Sequence, residues 1–382
     1  MAKQRIYYLD NIRILFVIVI LIHLAIIYGS EGGWYYKEVT RPDAINQAFF
    51  LLLFILNKTY GLGFFFMMSG LFTAVSLKRK GTRRFIPDRL LRLGVPLVFY
   101  ALVLHPLSRS LKTFFVYHQP IDFIGVFKNN ILYFSGKAVG PLWFVELLLI
   151  FTFMFIAWDA LFPAHSPLAE RKNKQYSFPK TKQIVALIAV LSVISFVVRI
   201  WFPFGYVYVP LSLDLADLPQ YATYFVIGLY LPRNNWLALI DKKTAKRWFT
   251  VVLSLIAGMI LGIFMLTLFV KFDMKPFAGG FSWQSAVFST WEMTYSFAVN
   301  IALFYFFRVK VNKQGKLAQF FSKNIYAAFV FHPFVITLLA LLLKDIHLYP
   351  MVKYLLVAPI AVFASFGFGH LIRIIPGMNK IL

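Results

Sequence analysis

Residues 9–27 read LDNIRILFVIVILIHLAII, an apolar run that carries Asp10, Arg13 and His23. A membrane-spanning helix needs about 20 apolar residues, and an ionisable group inside one is costly, so each such group is a functional-site hypothesis. At about 1.5 Å of rise per residue, Arg13 and His23 are about 15 Å apart along the helix. This predicts Arg13 at the cytoplasmic headgroups and His23 near mid-membrane. Alternatively, Arg13 snorkels and a neighbouring helix satisfies His23.

The composition is that of an integral membrane protein, because 60% of the 382 residues are hydrophobic and 14% are charged. The net charge of +24 comes from basic clusters between apolar spans. Those clusters indicate topology and attraction for anionic lipids or phosphate-bearing substrates, and they do not favour nucleic acid as a partner. The absence of cysteine excludes disulfides, thiol nucleophiles and cysteine metal sites.

Ten apolar stretches predict an all-α polytopic bundle of about ten transmembrane helices, forming a single domain over residues 1–382. The first is expected to be a retained helix and not a cleaved leader. Asn57, Lys58 and Gly61 predict that the second begins in an outer loop or breaks there. The third and sixth are short, which favours tilted or partly re-entrant helices. The stretches cover roughly residues 9–28, 46–77, 94–107 (extended by amphipathic residues to about 116), 141–162, 184–203, 218–231, 248–270, 284–307, 325–343 and 351–372.

The basic residues predict the orientation. Segments on one side of the predicted spans hold 27 of the 39 Lys and Arg residues. By the positive-inside rule both termini are then cytoplasmic, in a multi-pass protein of the cell membrane. The segments are Lys3 to Arg13, Lys78 to Arg92, Arg171 to Lys182, Arg233 to Arg247, Arg308 to Lys323 and Arg373 to Lys380.

The predicted outer connections are rich in aromatic residues. Such residues are typical of an interfacial belt, where amphipathic rings sit among the headgroups. The other interpretation is a stacking platform for sugar rings, whose C–H faces pack on aromatic faces. The residues concerned are Trp34, Tyr35, Tyr36, Tyr206 and Tyr208.

The stretch from residue 64 to 99 contains two features of interest. Its Ser69-Gly70 pair favours close approach of two helix backbones. Further on, Arg89 and Arg92 are three residues apart on one helical face, which suits a bidentate clamp for phosphate groups. A positive-inside anchor is the alternative. The following Gly94 and Pro96 are expected to end or bend the helix.

Three further ionisable residues lie inside or near predicted spans. Glu146 is a candidate general base, an acceptor-sugar ligand or a structural partner of an arginine, and Glu292 is interpreted in the same way. His332 is placed about a third of the way in from the cytoplasm, where it suits proton transfer or a helix-packing hydrogen bond. No zinc motif, P-loop, dinucleotide motif or serine-hydrolase elbow is found, and no metal is expected. Histidines with a low expectation of function are His105, His118, His165, His347 and His370.

Seven strings in order resemble the membrane acyltransferase family 3 of bacterial integral membrane O-acyltransferases, most closely its glucan succinyltransferase branch, glucans biosynthesis protein C. The strings are YLDNIR, GWYYKE, FFFMMSG, RRFIPDRLLRLGVPL, PLWFVELLL, LPQYATYFVIGLYLPRNNWL and IYAAFVFHPFV. The resemblance implies catalytic roles for Arg13 and His23, and a role for Arg89 and Arg92 in handling the acyl donor.

The spacing in the first helix departs from that family. Ten residues usually separate its arginine and histidine, whereas the nine residues ILFVIVILI separate Arg13 from His23. On a regular helix, ten steps leave the two side chains about 80° apart around the axis. A bulge, a kink or a different arginine would be needed to restore the family's geometry.

The leading hypothesis is an O-acyltransferase that moves an acetyl or succinyl group from cytoplasmic acyl-CoA to a hydroxyl of a glycan or glycolipid. His23, Arg13, His332 and Glu146 are its candidate catalytic residues; acyl-CoA is a substrate, and no permanently bound cofactor is expected. The rival hypothesis is a transporter or flippase for an anionic or glycan-linked solute, with the histidines as a proton relay. A weaker alternative is an inactive assembly scaffold.

Overall fold

The computed structural model describes residues 7–30, 32–132, 136–169, 177–208, 213–269 and 275–382. Helices dominate these ranges, and one short antiparallel ribbon pairs β1 (Val207–Tyr208) with β2 (Leu213–Asp214). The basic residues predicted at positions 3, 5 and 171–176 lie outside the described residues.

The α-helices of the described chain are numbered in chain order. They are α1 (Tyr7–Ile12), α2 (Val17–Tyr28), α3 (Ala44–Lys80), α4 (Thr82–Arg89), α5 (Val95–Phe99), α6 (His105–Tyr117), α7 (Phe123–Leu132), α8 (Trp143–Leu161), α9 (Thr181–Trp201), α10 (Leu218–Asn234), α11 (Trp236–Leu239), α12 (Lys242–Phe269), α13 (Lys275–Ala278), α14 (Trp283–Lys310), α15 (Lys316–Leu342) and α16 (Pro350–Arg373). A 3-10 turn, Arg13–Phe16, joins α1 to α2.

The prediction of an all-α polytopic membrane protein is confirmed. In the described ranges, eight helical segments are long and apolar enough to cross a membrane. Each coincides with one of the ten predicted spans, and the two remaining predicted spans are α10 and α14. The segments are Tyr7–Tyr28, Ala44–Lys80, Thr82–Tyr117, Val139–Leu161, Thr181–Trp201, Lys242–Met265, Lys316–Leu342 and Pro350–Arg373. The total of ten spans and the cytoplasmic termini stay predictions.

Helix α10 runs beside α3 in the same direction. Near its start, Gln220 Nε2 donates to the carbonyl of Thr59 at 3.1 Å. Further along both helices, a Cβ built on Gly70 would lie 2.2 Å from the Phe225 carbonyl oxygen, and one on Gly228 would lie 2.1 Å from the Met67 oxygen. The two backbones touch here, as the Ser-Gly pair predicts for position 70.

Helix α14 also runs parallel to α10. Ser296 Oγ and the Tyr224 hydroxyl are hydrogen-bonded at 2.9 Å, and Arg308 Nη1, later in α14, donates to the carbonyl of Leu237 at 2.5 Å. Tyr224 on α10 and Ser296 and Arg308 on α14 therefore have protein partners. Helix α10, with 17 residues, is shorter than the eight apolar segments.

The predicted break in the second span is wrong. Helix α3 continues through Asn57, Lys58 and Gly61 without interruption, for about 55 Å. Asn57 Nδ2 donates to the Leu53 carbonyl at 2.8 Å, and Lys58 Nζ lies 2.9 Å from Asp217 Oδ2. Because both polar side chains have partners inside the protein, the helix has no need to leave the bundle there.

Gly94 and Pro96 do not end the third span. Helical turns continue from Thr82 to Tyr117, with π-helical turns at Leu90–Gly94 and Tyr100–Leu104 on either side of α5. The wider π-helical turn before Pro96 leaves room for the proline ring. The helix also tolerates the hydrogen bond that proline cannot donate, so the chain remains helical.

Candidate active site

A pair of hydrogen-bonded histidines joins α2 to α15. His23 Nδ1 lies 2.9 Å from His332 Nε2, and the two rings are stacked with centroids 5.1 Å apart. His332 is fully buried, whereas His23 is partly exposed. Two of the four predicted catalytic residues are thus in direct contact.

The residue after His332 fixes the direction of this hydrogen bond. In a regular helix the carbonyl of Phe329 would accept from the N–H of Pro333, which proline lacks. The carbonyl accepts instead from His332 Nδ1, at 2.6 Å. A neutral His332 then has a lone pair on Nε2, so His23 donates from Nδ1 and carries its own lone pair on Nε2. That nitrogen is the candidate general base.

The depth of His332 in the membrane stays a prediction. Helix α15 begins at Lys316, nine residues before the predicted start of the span, so His332 lies past the midpoint of the helix. If the termini are cytoplasmic, the histidine pair lies in the outer half of the bundle, since His23 is also five residues from the end of α2.

Trp34, in the loop after α2, packs on the histidine pair. Its ring stacks on His23 with centroids 4.6 Å apart and an interplanar angle of 21°. Its Nε1 donates to Thr337 Oγ1 on α15 at 3.1 Å. The Trp34 ring therefore packs on the imidazole, a contact that neither interpretation predicts, and its position relative to the headgroups stays a prediction.

Tyr35 belongs to a second polar cluster beside the first. Its hydroxyl lies 2.6 Å from the Tyr100 hydroxyl and 3.0 Å from His105 Nδ1. Gly140, in the turn before α8, packs on both tyrosines, since a Cβ there would lie 2.8 Å from the Tyr100 hydroxyl and 3.0 Å from that of Tyr35. His105 Nε2 is buried and bonds to none of the described residues.

The loop that carries Trp34 and Tyr35 is attached to α16. Lys353, which is buried, places its Nζ 2.6 Å from Glu38 Oε1 and 2.8 Å from the Leu343 carbonyl. At the end of the loop, Asp43 caps α3 by accepting from the N–H groups of Ile45 and Asn46. The Asn46 N–H holds the pKa of Asp43 below its usual range.

The 3-10 turn between α1 and α2 compensates for the nine-residue spacing. A 3-10 helix advances about 120° and 2.0 Å per residue, against about 100° and 1.5 Å in an α-helix. From Arg13 to His23 the chain takes four 3-10 steps and six α-helical steps. These add up to about 1080°, or three whole turns, and to about 17 Å of rise. Arg13 therefore shares a face with His23 but does not contact it. Its guanidinium lies 5.3 Å from the Phe72 ring centre and 4.0 Å from Asp10 Oδ1.

Arg89 and Arg92 are held by different partners. Arg89 Nη2 donates to Thr73 Oγ1 on α3 at 2.8 Å, and its guanidinium lies over the Phe85 ring. Arg92 is exposed and its Nε lies 3.3 Å from Asp88 Oδ1. Arg89 is the last residue of α4 and Arg92 lies in the π-helical turn that follows; the two together are called the basic end of α4. The guanidinium of Arg89 faces α3, and that of Arg92 faces outward.

Glu146, in the first turn of α8, has no described contact with the histidine pair. Its Oε2 is buried and bonds to none of the described residues. Helix α8 follows the turn of Gly140, so Glu146 lies six residues along the chain from the glycine that packs on Tyr35 and Tyr100. In the described ranges, no group of three or more His, Cys, Asp or Glu side chains is arranged to hold a metal ion.

Glu292 has the structural role that one interpretation predicts. It pairs with Arg199 Nη2, and the same nitrogen lies 3.1 Å from Asp217 Oδ1. Lys58 reaches Asp217 as well, and also lies 3.4 Å from Asp214 Oδ2. These five side chains, the ion network, connect α3, α9 and α14 to β2 and to the 3-10 turn that precedes α10.

Sequence reasoning missed three features of these sites. His105 lies near a predicted span end, a position that gives little indication of a functional role. The contact of Trp34 with His23 has no sequence signature. Arg199, in contrast, is an arginine in the last turn of an apolar span. That signal alone marks it as a residue that requires buried partners.

Comparison with known proteins identifies the family. The family model described as an acyltransferase domain, acyltransferase family 3, matches residues 6–371, nearly the whole chain. The chain belongs to this family. No curated protein and no solved structure matches the chain. The protein is thus a multi-pass membrane acyltransferase, and the transporter and scaffold hypotheses have no support from this match.

Proposed function

We propose that this membrane acyltransferase transfers an acetyl or succinyl group from cytoplasmic acyl-CoA to a hydroxyl of a cell-envelope glycan or glycolipid. The observation that carries the proposal is the hydrogen-bonded pair of His23 and His332, in which the lone pair of His23 Nε2 is left for the acceptor. The glucan succinyltransferase branch is part of the same proposal.

In the proposed reaction, the acceptor hydroxyl gives its proton to His23 Nε2 as its oxygen attacks the thioester carbonyl. The resulting imidazolium is stabilised through its Nδ1–H bond to His332 Nε2. Collapse of the tetrahedral intermediate forms the ester C–O bond and breaks the C–S bond, and the proton on His23 passes to the departing thiolate.

The basic end of α4 supports a cytoplasmic donor site. Arg92 is exposed and able to meet a phosphate group, while Arg89 is held against α3 by Thr73. Arginine is well suited to phosphate because its planar donors form paired hydrogen bonds. Arg13 is at this same end, since its guanidinium lies against Phe72, the residue before the Thr73 that binds Arg89, about 17 Å along the helix from His23.

The test is release of free CoA by protein in lipid nanodiscs, with acetyl-CoA and succinyl-CoA supplied separately and candidate glycan acceptors present. General-base catalysis contributes about 100- to 10,000-fold, so His23→Ala should reduce transfer by at least that lower factor. His165→Ala is the matched control, because His165 is exposed outside the bundle core. Full activity in His23→Ala would contradict the mechanism, and no release with either donor would contradict the proposed function.

A further inference from the structure

An open cavity of about 520 Å³ lies between the C-terminal ends of α6 and α15. Its size falls within the range of about 300–1,000 Å³ that is usual for small-molecule sites. It lies on the side of the bundle opposite the basic end of α4, because α6 and α15 both run away from that side. Its lining residues are Phe114, Phe115, His118, Gln119, Pro120 and Lys344.

The cavity combines aromatic faces with hydrogen-bonding groups. The rings of Phe114 and Phe115 meet edge to face, with centroids 5.3 Å apart and an interplanar angle of 86°. Half of Phe114 is exposed, so one face of its ring is open to a ligand. Gln119 and Lys344 add an amide and an ammonium. An aromatic face beside polar donors suits a saccharide, whose C–H groups pack on the ring while its hydroxyls bond to the donors.

A polar stripe on α6 leads from this cavity towards the histidine pair. His105, Ser108, Lys112 and Phe115 follow at intervals of three, four and three residues, which places them along one face of the helix. The stripe extends about 15 Å from Phe115 to His105. Ser108 Oγ and His105 Nε2 are buried on it, and neither bonds to any of the described residues.

Both helices that border the cavity are linked to the histidine pair, α6 through a loop residue and α15 because it carries His332. On the α6 side, His105 Nδ1 meets Tyr35, whose neighbour Trp34 stacks on His23. On the α15 side, Lys344 lies just beyond the helix, and Thr337 and His332 follow inward along it. Helix α6 also packs against α15.

We propose that this cavity binds a saccharide ring of the acyl acceptor, and that the stripe on α6 lines the way from the cavity to His23. The inference rests on the proposed function for the identity of the acceptor as a glycan. It adds the place where the glycan binds and the side from which it enters. Ser108 and His105 supply hydrogen-bonding partners for sugar hydroxyls along that way.

The test uses the natural absence of cysteine in the chain. Gln119→Cys, in protein reconstituted in nanodiscs without acyl-CoA, is labelled with a hydrophilic maleimide in the presence and absence of a β-linked glucose hexasaccharide. With sugar at about ten times its Kd, labelling should slow about tenfold. Phe281→Cys, an exposed position far along the chain, is the matched control and should be labelled at the same rate with and without sugar.

Adding Phe114→Ala to the Gln119→Cys variant should remove most of the protection, because the stacking face is lost. Labelling of Gln119→Cys that is unaffected by hexasaccharide up to its solubility limit overturns the inference, and so does equal protection at both cysteine positions. Because no acyl-CoA is present, failure here is separate from failure of CoA release, which tests the proposed function.

Discussion

His332 and Pro333 act together at the residue scale. A proline inside a helix normally costs stability, because it leaves one carbonyl without its usual donor. Here the carbonyl of Phe329 accepts from His332 Nδ1, and this contact determines which nitrogen of each histidine carries the proton. The helix defect is therefore part of the candidate active site, and it explains why the two residues occur together in the sequence.

Pro333→Ala tests this role. The new N–H would compete for the Phe329 carbonyl, which would release His332 to adopt the other tautomer. We expect acyl transfer to fall about tenfold, one order of magnitude below the contribution of a complete general base. The thermal stability should not fall, since a proline is removed from a helix interior. Unchanged kcat in a folded variant would show that the carbonyl does not set the tautomer.

Close packing of α10 on α3 is the main feature at the element scale. Gly70 and Gly228 allow their backbones to touch, and no side chain fits between them. The sequence predicts close approach at Gly70, but it does not identify α10 as the partner. That assignment requires the long-range contacts, which composition and periodicity do not encode.

Gly228→Ala should destabilise the bundle. The added Cβ would lie 2.1 Å from the Met67 carbonyl oxygen, so the helices must move apart, at a cost of about 1–3 kcal/mol or more. Gly258→Ala, on α12, is the matched control, because nothing lies within 4 Å of a Cβ built there. Thermal unfolding in detergent should separate the two variants, and equal melting temperatures would count against the close contact.

Removal of Arg199 tests the contribution of the ion network to the stability of the bundle. In Arg199→Leu, Asp217 and Glu292 lose a shared buried counter-charge, which typically costs about 3–5 kcal/mol. We expect a sharp loss of folded protein in detergent. The double variant Arg199→Leu with Glu292→Leu should recover part of that loss, because one buried carboxylate is removed with its partner. Absence of any recovery would indicate that the two charges are not coupled.

At the scale of the whole molecule, much of the fold could be predicted from the sequence. Apolar runs of membrane-spanning length located every long helix, because a helix that faces lipid must be apolar along its length. His23 and His332 could also be selected, since each is an ionisable group in an apolar run. Their contact could not be predicted, because the two residues are 309 positions apart in the sequence. The inward position of Trp34 could not be predicted either, because it depends on a hydrogen bond to Thr337, which is far away in the sequence.

Cysteine labelling tests the number of spans. If α10 and α14 both cross the membrane, Lys243 is cytoplasmic and Phe281 is external; with eight spans, the two positions exchange sides. We expect Lys243→Cys to react with an impermeant maleimide only after cells are permeabilised, and Phe281→Cys to react in intact cells. Lys313→Cys, cytoplasmic under both arrangements, is the control. The reverse labelling pattern would exclude the ten-span topology.

One histidine of the pair lies near the start of the chain, in α2, and the other lies in α15, the second-last long helix. A ribosome that inserts this protein into a membrane must therefore synthesise more than 300 residues between the two. Throughout that time the first helix resides in lipid with its imidazole unpaired by His332. Under the proposed mechanism, acyl transfer therefore begins only late in biogenesis, after α15 has been inserted and has reached α2.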